Sequence, residues 1–280
     1  MMQIGLRFHD AKVLPFEERI REVKNQGFSC VHMALSKVMP NPALSAPEAL
    51  TPGYAMYLKR CFQREGMDVA VLGCYFNLAN PNPGQLKEIV ETYKTHIRFA
   101  SLLGCGVVGT ETGAPNEAYA FEPACHSEEA LALFIERVRP VVAYAEKMGV
   151  ILAIEPVFTH IVSTPKRARR VLDAIDSPNL QIILDPVNLL HISNYRNQKE
   201  IFEEAIDLLG KDVAIVHIKD FVAKEEGLVS MAAGLGEMDY TPVIRFIKER
   251  KPYIQATLED TIPENAVQAR EFIQKLWEEA

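Results

Sequence analysis

Residues 150–188 read VILAIEPVFTHIVSTPKRARRVLDAIDSPNLQIILDPVN and contain one strand–helix–strand unit. Two short apolar runs, 150–154 and 181–184, are almost continuous in Val, Ile, Leu and Ala, which is typical of parallel strands buried on both faces. Between them, residues 164–175 place apolar side chains at a helical period and open with Thr-Pro, a favourable start for a helix. The stretch therefore predicts a β-strand, a crossover helix and a second, parallel strand.

The same pattern recurs along the chain. Apolar runs predict eight strands, at residues 3–8, 30–35, 68–75, 106–110, 150–154, 181–184, 213–218 and 254–258. Helical patterns follow them at residues 16–26, 52–65, 86–103, 127–148, 164–175, 198–209, 241–249 and 263–279. Because no linker separates these units, we predict a single α/β domain over residues 1–280, a (β/α)8 TIM barrel. An open, doubly wound sheet is the alternative, but no GxGxxG motif follows the first strand to support it.

Composition narrows the class of protein. The 280 residues suit one α/β barrel, and 48% hydrophobic with 24% charged residues excludes wholesale disorder. A net charge of −7 argues against nucleic acid as a partner, because a duplex-binding surface normally carries a basic excess. The start MMQIGLRFHD lacks a basic segment followed by an apolar run, and no run reaches about 18 apolar residues, so we expect a cytoplasmic protein with no membrane partner. Five cysteines without a CxxC pair indicate reduced, buried side chains.

Polar residues follow the predicted strands at the end of the barrel where TIM-barrel chemistry takes place. Glu155, Asp185, His217 and Glu259 each follow an apolar run, on four consecutive predicted strands. Three buried carboxylates around one histidine would repel each other, and a divalent metal ion relieves that repulsion. Three oxygen ligands and one imidazole suit Mn²⁺, Co²⁺, Mg²⁺ or Zn²⁺, and the carboxylate-rich set favours a hard ion, with Mn²⁺ as our first expectation. The alternative is that some of these residues are ion-pair partners of nearby Lys and Arg.

Five short segments, in their order and strand phase, carry a resemblance to a known family. They are IEP at 154–156, LDPVN at 184–188, VHIKD at 216–220, GLGEMDY at 234–240 and TLED at 257–260. Together they resemble the xylose isomerase-like TIM-barrel superfamily of sugar isomerases and epimerases, which also contains endonuclease IV-like enzymes. The resemblance covers nearly the whole chain. It implies that Glu155, Asp185, His217 and Glu259 bind one metal ion and that Glu155 and Glu259 also act as acid and base on opposite faces of the substrate.

The chain departs from parts of that family in two respects. Ketose 3-epimerases of the group tend to have a histidine three residues after the strand-6 aspartate, where this chain has Asn188, and an arginine where it has Lys219 and Lys224. These departures put the exact substrate in doubt and leave the metal site intact. A three-zinc endonuclease site needs several more histidines than the corresponding segments supply.

Further polar residues are candidates for substrate binding. They are His9, Asn77, Glu111, Asn188 and Lys219, all at or after predicted strands. A structural role is the alternative for His9, Glu111 and Lys219. His32, on the second predicted strand, is interpreted as a core or rim histidine, and His160 and His191 are weaker candidates for the pocket wall.

The leading hypothesis for function is isomerisation or epimerisation of a ketose or related sugar or polyol through a metal-stabilised cis-enediolate. One of Glu155 and Glu259 removes a proton next to a carbonyl, and the other returns one. The runner-up is a metal-dependent dehydratase, a lyase acting on an inosose or a dehydroshikimate-like substrate. An abasic-DNA endonuclease and a non-catalytic sugar-binding barrel are weaker alternatives. The resemblance also implies a homodimer or a homotetramer.

Overall fold

The apolar runs form the parallel strands of a closed barrel in the computed structural model, which describes residues 2–280. In chain order the strands are β1 (Gln3–Arg7), β2 (Cys30–Met33), β3 (Asp68–Gly73), β4 (Val107–Glu111), β5 (Ile151–Glu155), β6 (Leu180–Leu184), β7 (Val213–Ile218), β8 (Asp220–Lys224), β9 (Gly227–Met231) and β10 (Gln255–Leu258). Strands β1 to β7 pair in chain order, and β10 lies between β7 and β1 and closes the barrel. The predicted TIM barrel is confirmed.

Helices surround the barrel and bring the chain back to the end of the barrel at which the strands begin. They are α1 (Phe16–Asn25), α2 (Leu35–Val38), α3 (Pro52–Arg64), α4 (Pro83–Leu103), α5 (Glu128–Met148), α6 (Pro165–Ile175), α7 (Gln198–Leu209), α8 (Thr241–Arg250) and α9 (Ala266–Glu279). The Thr-Pro signal works as predicted in α6, where the Thr164 side chain accepts a hydrogen bond from the backbone N–H of Arg167.

Several elements differ from the sequence prediction, including the short helix α2, which begins at Leu35, inside the range 30–35 predicted as a strand. Helix α4 begins at Pro83 and not at residue 86, because the Asn82 side chain caps the backbone N–H groups of the first turn. Helix α9 begins at Ala266 and not at residue 263, since the Asn265 side chain accepts from the backbone N–H of Ile262 and closes a turn there. Strands β8 and β9 form an antiparallel hairpin after β7 that the apolar runs did not predict.

The barrel interior is filled by small and medium side chains. Its core consists of Cys30, Ala70, Val71, Val107, Ala153, Ile183 and Ile215. Glycine at position 109 makes room for these side chains: a Cβ there would lie 2.6 Å from Val71 Cγ1 and 2.8 Å from Ile183 Cδ1. Real contacts of that length do not occur, so a side chain at this position forces the interior to shift.

Replacing Gly109 by alanine should therefore destabilise the barrel by about 1–3 kcal/mol through overpacking. Urea unfolding followed by circular dichroism measures the change. Gly106→Ala is the matched control, because a Cβ at Gly106, just before β4, meets nothing within 4 Å. An equal loss of stability in both variants would contradict the packing explanation.

Two further observations bear on the sequence predictions. The five cysteines are all buried and unpaired in the part of the chain that the structure describes, as expected. None of the helices between residues 2 and 280 combines the length and the apolar character needed to cross a lipid bilayer.

Candidate metal centre and active site

The four predicted ligands meet at the carboxyl ends of the barrel strands. Glu155 is the last residue of β5, Asp185 follows β6, His217 lies near the end of β7 and Glu259 follows β10. All four are buried, with at most 6% of their surface exposed. His217 Nδ1 lies 3.4 Å from Glu155 Oε2 and 3.3 Å from Glu259 Oε1. Asp185 is joined to the group by Lys219, whose Nζ lies 2.9 Å from Asp185 Oδ2 and 3.4 Å from Glu259 Oε2.

The donors gathered here fit a divalent metal ion. Both ring nitrogens of His217 are buried, and neither has a hydrogen-bond partner of good geometry among residues 2–280, although two carboxylates approach Nδ1. Buried polar atoms without a partner are rare and usually indicate a missing ion or water. Single ligand atoms of Glu155, Asp185 and His217 lie within 4.8 Å of one another, and so do those of His32, His217 and Glu259. Oxygen and imidazole donors at this spacing can converge on one ion.

Cations surround Glu259 and keep it charged. Burial opposes ionisation, but His217, Lys219 and Arg7 outweigh it and hold the pKa of Glu259 well below its usual range. Burial would likewise lower the pKa of His217, whereas the carboxylates of Glu259 and Glu155 raise it to about 9. Arg7 reaches Glu259 Oε2 at 3.5 Å and Asp260 Oδ1 at 2.6 Å. These contacts show how strongly the cluster attracts positive charge.

The glycine-rich segment 234–240 holds the backbone that follows β7 in place, next to the four predicted ligands. The buried Asp220 carboxylate accepts five hydrogen bonds, from the backbone N–H groups of Phe221, Gly234, Gly236 and Met238 and from the hydroxyl of Tyr240. A Cβ on Gly236 would collide with the Phe221 carbonyl and with Asp220, so only glycine fits there. The Tyr240 hydroxyl also lies 3.2 Å from the carbonyl oxygen of Lys219. The segment thus fixes the backbone from which Lys219 reaches the ligands.

A polar cavity of about 310 Å³ opens above the four ligands. Its walls contain Arg7, His9, His32, Lys37, Tyr75, Glu111, Glu155, Val157, Asn188, Lys219, Glu259 and Asp260. Of the five residues predicted to bind substrate, it brings together His9, Glu111, Asn188 and Lys219. Arg7, Lys37 and Asp260 were not predicted as substrate-binding residues, although Arg7 and Asp260 lie at strand ends like the residues that were predicted.

Asn77 does not line the cavity. Its side-chain amide donates to the carbonyl oxygens of Ala114 and Asn116, and its Oδ1 accepts from the N–H groups of Ala79 and Ala114. These bonds tie the loop after β3 to the loop after β4. The Asn77 side chain therefore stabilises these two loops without lining the cavity.

Glu111 and His9 have unusual protonation behaviour. Burial and the nearby charge of Glu155 raise the pKa of Glu111 to about 7, and the Tyr119 hydroxyl donates to Glu111 Oε2 over 3.1 Å. Burial and the charge of Arg7 lower the pKa of His9 to about 4, so the ring is neutral at pH 7. Both side chains can exchange hydrogen bonds with a polar molecule in the cavity.

Asn188 connects two of the four ligands. Its side-chain Nδ2 donates to Glu155 Oε1 over 2.6 Å, and its backbone N–H donates to Asp185 Oδ1 over 3.2 Å. Groups that orient metal ligands in this way affect metal affinity as well as substrate binding.

We expect Asn188→Ala to weaken binding of Mn²⁺ by about tenfold, because Glu155 loses the donor that orients it. Isothermal titration of the metal-free protein with Mn²⁺ measures the change. Asn197→Ala, on an exposed asparagine that precedes α7, is the control and should bind like the parent protein. Unchanged metal affinity with a raised KM would instead indicate that Asn188 contacts only the substrate.

Comparisons with known proteins identify the family of this fold. A family model described as "Xylose isomerase-like TIM barrel" matches residues 20–276. The curated 3-oxo-isoapionate decarboxylase of Pectobacterium atrosepticum is 32% identical over 152 residues, which cover 51% of this chain and 50% of that protein. The chain therefore aligns with about half the length of this curated relative.

Solved structures share the fold over the full length. A D-tagatose 3-epimerase-like protein matches with a TM-score of 0.74 at 20% identity, covering 99% of both chains. The IOLI protein with a bound zinc atom matches with a TM-score of 0.74 at 18% identity, also over 99% of both chains. A probable 3-DHS dehydratase from Bacillus anthracis gives a TM-score of 0.74 at 14% identity over 98% of both chains. At these identities the likeness shows the fold alone.

Proposed function

The chain belongs to the xylose isomerase-like TIM-barrel family, and from that premise we propose that it is a divalent-metal-dependent enzyme that isomerises or epimerises a ketose or related sugar or polyol. One observation carries the proposal: Glu155, Asp185, His217 and Glu259 converge under a polar cavity, with both glutamates in its wall. A cavity of about 310 Å³ is at the small end of ligand sites, which suits a compact polar molecule.

The four converging side chains would hold the ion. When bound there, a divalent ion acts as a Lewis acid that polarises a substrate carbonyl and makes the neighbouring C–H more acidic. We propose Mn²⁺ first, with Co²⁺, Mg²⁺ and Zn²⁺ as alternatives, because three of the four donors are carboxylates.

The two glutamates supply the acid and the base. Glu155 and Glu259 approach the same His217 nitrogen from different strands, so they face the cavity from two directions. One takes the proton from the carbon next to the carbonyl, and the other delivers a proton to the resulting enediolate. Delivery to the same carbon inverts that centre, and delivery to the adjacent carbon moves the carbonyl. Lys219, Glu111 and Asn188 are proposed to bind substrate hydroxyl groups during these transfers.

Proton exchange tests the proposal directly. The metal-loaded protein is incubated in D₂O with D-tagatose, D-psicose, D-fructose and their phosphate esters, and deuterium at the carbon next to the carbonyl is measured by NMR. We expect incorporation with at least one ketose and none after the metal is removed by chelation. No exchange with any of them by a folded, metal-loaded protein would count against a ketose isomerase or epimerase.

Lyase chemistry is the second candidate. The Pectobacterium relative is named as a decarboxylase, and a structural neighbour is titled a probable dehydratase. Lys37 lines the cavity and makes no ion pair with an acidic side chain of residues 2–280, so a substrate carboxylate has a cation available. In a decarboxylation the bond to the carboxyl carbon breaks, its electron pair stays on the neighbouring carbon, and a glutamic acid side chain protonates that carbon.

The two lyase reactions have different products. Decarboxylation of a 3-oxo sugar acid releases carbon dioxide, which a coupled carboxylase assay detects. Dehydration of an inosose or a dehydroshikimate-like substrate by the same α-proton removal yields an ultraviolet-absorbing enone. Either signal in the absence of ketose exchange would move the assignment from isomerase to lyase.

A further inference from the structure

His32 lies next to the four proposed metal ligands, although its strand supplies none of them. It stands on β2, next to Arg7 of β1 in the strand register, and is 1% exposed. Its Nε2 lies 2.7 Å from the hydroxyl of Tyr75. Its Nδ1 is buried, has no hydrogen-bond partner in the described part of the chain, and lies 3.8 Å from Glu259 Oε1. A polar nitrogen buried without a partner is costly, so this position needs an explanation.

The histidine also packs on a ligand. The His32 and His217 rings stack with centroids 5.0 Å apart and an angle of 22° between their planes. His32 thus contacts one ligand through its ring face and approaches another, Glu259, through its free nitrogen. Packing alone would be served as well by an apolar side chain.

Strand β3 makes room for the pair of His32 and Tyr75. A Cβ on Gly73 would lie 2.6 Å from Tyr75 Cε2 and 3.0 Å from His32 Nε2. Any residue other than glycine at this position would push the tyrosine ring away from the histidine. The 2.7 Å contact between Tyr75 and His32 therefore depends on the glycine at position 73, the last residue of β3.

We propose that Tyr75 and His32 form a positioning pair that orients Glu259 for metal binding and proton transfer, an inference that rests on the function proposed above. The Tyr75 hydroxyl donates to Nε2 of His32, which leaves the proton on Nδ1, directed at Glu259 Oε1. At 3.8 Å this is a polar contact and not yet a hydrogen bond, and such contacts commonly tighten when an active site is loaded. Histidine tautomers are often set in this way by the partner of the other ring nitrogen.

Co²⁺ binding tests this role without any need for a substrate. Co²⁺ affinity and the visible spectrum are measured for the parent protein and for His32→Leu, His32→Asn and Tyr75→Phe. Leucine keeps the packing and removes the donor, so we expect its Kd for Co²⁺ to rise by about 10- to 100-fold. Asparagine places an N–H near the position of Nδ1 and should restore most of the affinity. Tyr75→Phe should weaken binding by a smaller factor in the same direction, with the band positions of the spectrum kept.

A second buried histidine is the matched control. His96 lies on α4 and its Nδ1 bonds to the Thr92 carbonyl oxygen, so His96→Leu should leave Co²⁺ binding unchanged. Circular dichroism and urea unfolding establish that each variant is folded before its affinity is compared.

The outcomes separate this inference from the proposed function. If the parent protein binds no Co²⁺, both are overturned. If the parent binds Co²⁺ and His32→Leu and Tyr75→Phe bind it equally well, only the positioning role is overturned. A spectrum with altered band positions and intensities in His32→Asn, with no effect of Tyr75→Phe, would make His32 a direct ligand and would also overturn the positioning role.

Discussion

Glu155→Gln and Glu259→Gln should each lower turnover by about a thousandfold or more, because each removes both a proton-transfer group and the negative charge of a metal ligand. The amide keeps the size of the side chain at both buried positions, so each variant differs from the parent protein only in charge and in proton transfer. The measurement is kcat on the substrate found by the exchange assay, together with deuterium incorporation at the carbon next to the carbonyl.

Glu264→Gln controls for the loss of one negative charge on the same face of the barrel. Glu264 is exposed in the loop after β10, five residues beyond Glu259, and lines no part of the cavity. We expect its turnover to equal that of the parent protein. Deuterium exchange that persists in both the Glu155 and Glu259 variants would rule out these residues as the acid and the base.

Asp220→Ala should lower the free energy of unfolding by about 3 kcal/mol or more. Alanine removes the acceptor of the Phe221, Gly236 and Met238 N–H groups, and buried unsatisfied donors cost about 1–3 kcal/mol each before relaxation. The Gly234 N–H and the Tyr240 hydroxyl also lose a bond to Asp220, but each keeps a second acceptor. Because the same loop fixes the backbone of Lys219, the variant should also lose activity. Urea unfolding followed by fluorescence gives the stability change.

Asp173→Ala is the matched control for stability. Asp173 pairs with Arg169 on the exposed surface of α6, with 66% of its side chain in solvent. Exposed pairs of this kind contribute about 0–1 kcal/mol, so the control should unfold nearly like the parent protein. A loss below about 1 kcal/mol in Asp220→Ala as well would show that water replaces the carboxylate without difficulty.

The barrel could be predicted because parallel strands buried on both faces have a distinctive composition. Runs such as 150–154 and 181–184 contain little besides apolar residues, and each is followed by a helical pattern. The hairpin of β8 and β9 escaped prediction because it stands on the surface, where half-exposed residues replace the continuous apolar run. The start of α4 was placed late although Asn82 followed by Pro83 is a favourable cap.

The convergence of the four proposed ligands could be predicted because residues at the carboxyl ends of parallel barrel strands meet at one end of the barrel. Glu155, Asp185, His217 and Glu259 lie within one residue of the ends of four neighbouring strands, so the topology brings them to the same end of the barrel. Which other residues contact the four proposed ligands depends on the conformation of the loops. The hydrophobic periodicity of the sequence does not predict that conformation.

Asn188 and His32 are two residues that contact the proposed ligands. Asn188 was predicted to bind substrate; it lines the cavity, and its amide also donates to Glu155, a contact that the sequence did not indicate. His32 was interpreted as a core or rim histidine. Its contacts are with the tyrosine that follows β3 and with the glycine that ends β3, which lie some forty positions further along the chain.

Metal content is the most direct test of the central claim, a single divalent ion held by Glu155, Asp185, His217 and Glu259. Elemental mass spectrometry of the purified protein should find about one equivalent of Mn, Co, Zn or Mg, and Glu259→Ala should lose it. About three equivalents of zinc would indicate an endonuclease-type centre instead. A parent protein that stays metal-free after soaking in Mn²⁺, or a Glu259→Ala variant that keeps its full equivalent, would contradict the proposed centre and the chemistry that depends on it.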